Sequence, residues 1–214
     1  MRVVRRAGGY VLDVEPDQVD LYRFRRLVEE ARSPVGGAEP RTRLLREALG
    51  LWQGEPLAGL PGDCARRMRQ SWWQQRVDAA VAWADVELQV GDRRAVVEPI
   101  AELADEHPLV EPLAAALMRA LAAGGRTANA LSVFTGIRAR LARDLGTDPG
   151  PQLRAVHQSV LRGEVDQLAP ARAARERPVP AQLPRLGRLL AERLPTPTDA
   201  GPPTPLIGQP VSFL

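Results

Sequence analysis

The feature that most constrains this chain is a recurrence. Gly91 and Gly125 stand 34 residues apart, and each separates two stretches of helical periodicity. The text around them reads V-G-D-R-R-A-V-V-E and G-G-R-T-A-N-A-L. A helix–turn–helix unit cannot bury its apolar face alone, so recurring units stack and share one core. Ala80, Ala84, Ala114 and Ala130 are small enough for the close crossings that such stacking needs.

Apolar spacing fills in the units. Residues 63–90 contain neither Pro nor Gly, and Met68, Trp72, Val77, Ala80, Val81, Ala84 and Leu88 mark a buried side. Residues 93–107 turn Val96, Val97, Ile100, Leu103 and Ala104 inward, and Pro108 ends that helix. Leu113, Ala114, Leu117 and Leu121 do the same for 110–123. The stretch 124–145 carries Ala130, Val133, Phe134, Ile137, Leu141 and Leu145 on one 3.6-residue stripe. Gly146 is its stop, Asp148-Pro149-Gly150 a turn, and Pro151 suits the first position of the last helix. Leu153, Val156, His157, Val160 and Leu161 form that helix's apolar face. Two helices precede the stack. The first has Asp17 as N-cap, with Val19, Tyr22 or Phe24, Leu27, Val28 and Ala31 inward. The second covers 39–50, with Leu44, Leu45, Ala48 and Leu49 inward. In the loop between Leu51 and Gly62, Trp52, Leu57 and Leu60 are expected to tuck beneath the fold. The predicted class is all-α, a tetratricopeptide-like stack of antiparallel helix hairpins.

The two ends differ from this body. Residues 1–14 are β-like around Gly8-Gly9, which predicts a small hairpin. Residues 170–214 hold half of the chain's 20 prolines, so 164–214 reads as a Pro-rich linker or disordered tail with at most a short helix over 186–194. The expected organisation is therefore 1–14, 15–163 and 164–214.

Charge follows the same division. The net charge is +3 and every basic residue is arginine. The first ten residues carry +3 and residues 171–214 carry +3, which leaves residues 11–170 at −3. A phosphate-binding face needs clustered basic residues, and the helical body offers none. No apolar run approaches the roughly 20 residues of a membrane helix. The N-terminus lacks the apolar core of a signal peptide, and the single Cys64 cannot form an internal disulfide. A cytoplasmic protein without membrane contact is expected.

Catalytic patterns are missing. There is no Gly-Lys-Ser/Thr phosphate loop, no HExxH and no CxxC. Glu98 and Glu102 share a helix face at four-residue spacing, but an exposed helix commonly carries such a pair as a solvated face. His107 reads as a partner for a helix C-terminus, His157 as a packing residue, and Cys64 as a small apolar residue or surface thiol. No catalytic, cofactor-binding or metal-ligating residue is expected, and the chain is not read as an enzyme.

Three collinear blocks carry a family resemblance: GGYVLDVEPDQVDLYRFRRLVEEAR, LREALGLWQGEPLAGL and GGRTANALSVFTGIRARLARDLGTDPGPQLRAVHQSVL. Over about residues 8–163 they resemble the bacterial transcriptional activator domain of the Streptomyces antibiotic regulatory protein family. The resemblance implies a helical domain that supports dimerisation and contact with RNA polymerase, behind a winged-helix domain that binds promoter DNA. Such regulators activate biosynthetic gene clusters. Residues 1–14 resemble only the last hairpin of a winged-helix domain, so an N-terminal truncation or a misplaced start is expected. DNA binding is then expected only where the winged-helix domain is supplied; Arg2, Arg5 and Arg6 could contribute phosphate contacts, which position rather than specify. The implied partners are RNA polymerase or another regulator, with homodimerisation. The alternative is a free-standing interaction module binding a peptide in the concave groove of the stack. Two positions depart from expectation: Gly150 stands where Ser commonly caps the last helix, and Gly136 interrupts a helix at a cost of roughly 1 kcal/mol relative to Ala.

Overall fold

A computed structural model describes residues 2–6, 9–33, 37–90 and 93–164. It divides into a helical unit, Val14–Glu176, and a second unit that includes Met1–Asp13. In the second unit, β1 (Arg2–Arg6) pairs antiparallel with β2 (Gly9–Asp13), with Val4 opposite Val11.

The helical unit opens on a 3-10 turn, Pro16–Gln18, followed by α1 (Asp20–Arg32) and α2 (Ala38–Gly50). The long α3 (Asp63–Val90) pairs with α4 (Arg93–Glu106). Next come α5 (Glu111–Ala123), α6 (Thr127–Leu145) and α7 (Pro151–Arg162). Each helix packs on its sequence neighbour. In addition α3 touches α5, and α5 touches α7. In the stack, α3, α5 and α7 thus form one layer and α4 and α6 the other, which is the stacking that the recurrence predicts.

The 34-residue spacing reappears in the core. Ala80 and Ala114, Trp83 and Leu117, and Ala84 and Met118 are buried at equivalent positions of α3 and α5. Val96 and Ala130, Ile100 and Phe134, and Leu103 and Ile137 are buried at equivalent positions of α4 and α6. The spacing then lapses, because α6 has 19 residues where α4 has 14. Gly146 closes α6 in the left-handed region at φ 66°, which a side chain would resist.

The helix α5 is the centre of the unit. Every residue from Leu113 to Ala122 is buried, as expected of a helix that is apolar nearly all round. Its five alanines in this run let α3, α4, α6 and α7 approach it together. The last helix buries Leu153, Val156 and Val160 and leaves Gln152, Arg154, Gln158 and Arg162 exposed. That is the polar outer face of a terminal repeat.

Several expectations are corrected. Asp17 does not cap α1: the helix begins at Asp20 behind Val19, and the Asp17 carboxylate accepts a hydrogen bond from Arg26 Nε at 2.9 Å. Phe24 rather than Tyr22 points inward. Leu145 and Leu161 continue their stripes in sequence but lie in the final turns of α6 and α7 and stay exposed. Leu60 is exposed too, whereas Trp52 does anchor its loop, with its ring edge-on to Phe24 at 5.4 Å. The proposed helix over 186–194 and the Pro-rich tail lie outside the described residues.

Candidate partner-binding surface

Polar groups inside the helical unit fall into three sets. The first ties α3 to α5. Asp85 and Arg119 also obey the 34-residue spacing, and the guanidinium donates to the carboxylate across the helix crossing. Both side chains are nearly buried, and Arg119 Nε has no partner. Burial pushes the Asp85 carboxyl up, and the charge and hydrogen bond of Arg119 oppose that shift.

The second set ties α2 to α3. Glu87 is buried, and its carboxylate accepts from Trp83 Nε1 at 3.0 Å and from Arg46 Nη2 at 2.9 and 3.0 Å. A buried carboxylate that accepts three hydrogen bonds from two donor nitrogens is satisfied, so this set is structural.

The third set is aromatic and lies where α3 meets the end of α4. The His107 ring sits against Trp73 with centroids 3.6 Å apart. Arg76 lies over the Trp52 ring at 5.6 Å and reaches Glu106 at 3.6 Å. Burial lowers the His107 pKa; Glu106 opposes this and Arg76 adds to it. His157, the other histidine, stacks on Phe134 at 3.8 Å with the rings nearly parallel. Both histidines are therefore packing partners of aromatic rings. The signal that could have placed them was the aromatic residue at the matching height of the neighbouring helix. Cys64 is exposed.

A cleft of about 150 Å³ opens beside the third set, between α2, α3 and α4. Leu49, Trp83 and Ile100 line its floor, and Arg76, Glu102 and Glu106 stand at its rim. Glu98, Glu102, Asp105 and Glu106 lie along one exposed face of α4. The sequence singled out the first two of these; it gave no sign of the cleft, because Leu49 and Trp83 come from other helices.

The arginines singled out in the sequence, Arg2, Arg5 and Arg6, all lie on β1. Their register partners are Asp13, Tyr10 and Gly9, and Arg5 is exposed. Among the described residues no group of three His, Cys, Asp or Glu side chains could hold a metal ion. None of the described helices is long and apolar enough to cross a membrane.

The Asp85–Arg119 and Glu87–Arg46 pairs of this stack of helix hairpins each join one helix to another. The chain belongs to the bacterial transcriptional activator domain family, which matches residues 19–161. It is 36% identical to the regulatory protein AfsR of Streptomyces griseus over 172 residues, 79% of this chain and 18% of that protein. It is 31% identical to the regulatory protein DnrI of Streptomyces peucetius, covering 73% of this chain and 59% of the relative. Among solved structures it is similar to Mycobacterium tuberculosis EmbR in complex with a low-affinity phosphopeptide. That match has a TM-score of 0.66 and 32% identity, and covers 72% of this chain and 41% of that one. The chain thus spans less than two thirds of the length of these relatives, all of which are regulators.

Proposed function

We propose that this chain serves as the helical activation and dimerisation domain of a transcriptional regulator of the antibiotic-regulatory type. The observation that carries the reading is the family match along the whole helical unit, from α1 to α7. In this reading the domain spans 15–163, flanked by the hairpin at 1–14 and a linker at 164–214. It works in the cytoplasm, by contact rather than catalysis, on RNA polymerase, another regulator or a second copy of itself. Sequence-specific reading of DNA requires a recognition helix in the major groove, which this reading assigns to a winged-helix domain acting with it. Arg2, Arg5 and Arg6 add phosphate contacts there. The net charge of −3 over residues 11–170 also favours protein over nucleic acid as the partner of the helical body.

The alternative, a stack that holds a peptide in its concave groove, draws less support. The helix that would floor the groove, α5, is buried from Leu113 to Ala122. The test is direct: the purified chain is mixed with purified actinobacterial RNA polymerase, and its mass alone and in the mixture is followed by sedimentation. Co-sedimentation or a self-associated species is expected. A monomer that ignores the polymerase overturns the reading.

A further inference from the structure

The cleft beside α4 combines an apolar floor with an acidic border, and that combination selects a partner. Its volume of about 150 Å³ matches a cavity that accepts a benzene-sized group, so one leucine- or phenyl-sized side chain fits. Of the charged residues that line it, Arg76 pairs with Glu106 and Glu102 is left over, with Glu98 and Asp105 exposed farther along the same helix. Among the described residues Glu98, Glu102 and Asp105 have no ion-pair partner, although all three are exposed. Elsewhere on the same unit Glu30, Glu47 and Asp63 each meet an arginine. Only Glu106 is held from within, by Arg76. The carboxylates at 98, 102, 105 and 106 follow the helical repeat along one face of α4, and Glu102 and Glu106 are the two of them that line the cleft.

We propose that this cleft docks a basic amphipathic helical segment of a protein partner. One apolar side chain of that segment enters between Leu49, Trp83 and Ile100. Arginines or lysines a turn away on the same face meet Glu98, Glu102 and Asp105. Helix-in-groove recognition uses this spacing of anchors. Unpaired carboxylates repel nucleic acid and acidic peptides, so the stripe also rejects wrong partners. The inference rests on the proposed regulatory reading and assigns its protein contact to one surface.

The probe is a fluorescein-labelled helical peptide with one Leu and an Arg one turn to either side. Controls replace the Leu by Ala or both Arg by Glu. Fluorescence anisotropy with the whole chain is expected to show salt-sensitive binding of the Arg peptide. The double variant Glu98→Arg, Glu102→Arg should weaken it by on the order of tenfold or more and gain affinity for the Glu peptide. Both substitutions are on exposed positions, and an unchanged melting curve confirms that the fold is kept. Equal binding by the variant, or by the Ala peptide, overturns the proposal. Polymerase binding is measured in parallel. A wild-type chain that binds polymerase but not the peptide overturns this proposal alone; one that binds neither partner and stays monomeric overturns the functional reading as well.

Discussion

Gly150 illustrates how a residue that looks like a poor choice in sequence is fitted to its surroundings. As N-cap of α7 it offers no side-chain oxygen. The Glu111 carboxylate, at the start of α5, instead accepts the N-cap residue's own N–H, that of Gly150, at 2.6 Å, the bond that a capping-box carboxylate three residues on would make. It also places negative charge at the α7 N-terminus, where the helix dipole favours it. A Cβ at 150 would come within 3.2 Å of Glu111 Oε2. Gly150→Ser should therefore bring none of the stabilisation expected of a better cap. Glu111→Ala should cost about 1–3 kcal/mol, the usual loss for a hydrogen bond to a charged group. Urea titration of both variants decides the matter. His107 gives a second prediction at this scale. Its folded pKa lies below the ordinary value because burial disfavours the charged ring. The unfolded chain therefore takes up the proton first. The stability that the neutral ring contributes is complete above about pH 6.5 and is lost as pH falls through the lower folded value. Melting temperature should drop as pH is lowered from 7 to 5, and less steeply in His107→Gln.

At the scale of elements, buried charge and helix propensity make opposite demands. The Asp85–Arg119 pair joins α3 to α5 at equivalent heights. Arg119→Ala leaves the Asp85 carboxyl without its partner in a buried site and should cost about 3–5 kcal/mol. Replacing both by apolar residues, Asp85→Leu with Arg119→Met, should restore most of that loss in denaturant unfolding, because the desolvation of the pair disappears too. A double variant as unstable as the single one would mean that the pair does more than fill space. Gly136 is a simpler case. It sits in mid-α6, and nothing lies within 4 Å of a Cβ added there. Gly136→Ala should raise stability by about 0.5–1 kcal/mol, read as a shift in the urea midpoint.

For the whole molecule, α5 decides cooperativity. It packs on α3, α4, α6 and α7, so no hairpin of the stack closes its core without it. Repeat arrays whose units touch only their neighbours can unfold piecemeal. Here the shared central helix predicts one transition: circular dichroism and tryptophan fluorescence should give superimposable urea curves. Separate curves would show α1 and α2 unfolding independently of the stack.

Much of this molecule follows from local chemistry alone. The 34-residue recurrence, the stripes on α4 and α6, the Gly146 stop and Pro151 at the start of α7 were all readable. Each depends on backbone geometry or on helical periodicity within a single segment, which the chain carries wherever it is. Other features needed the third dimension. Leu145 and Leu161 obey their stripes yet are exposed, since burial depends on whether a neighbouring helix reaches that far. Glu111 and Gly150 are 39 residues apart, and the cleft draws on three helices. The stacking of Trp73 with His107 and of Phe134 with His157 likewise joins segments that periodicity treats one at a time. Periodicity fixes which side of a helix is apolar; only packing decides which neighbour meets it, and how much of a charged face is left without a partner.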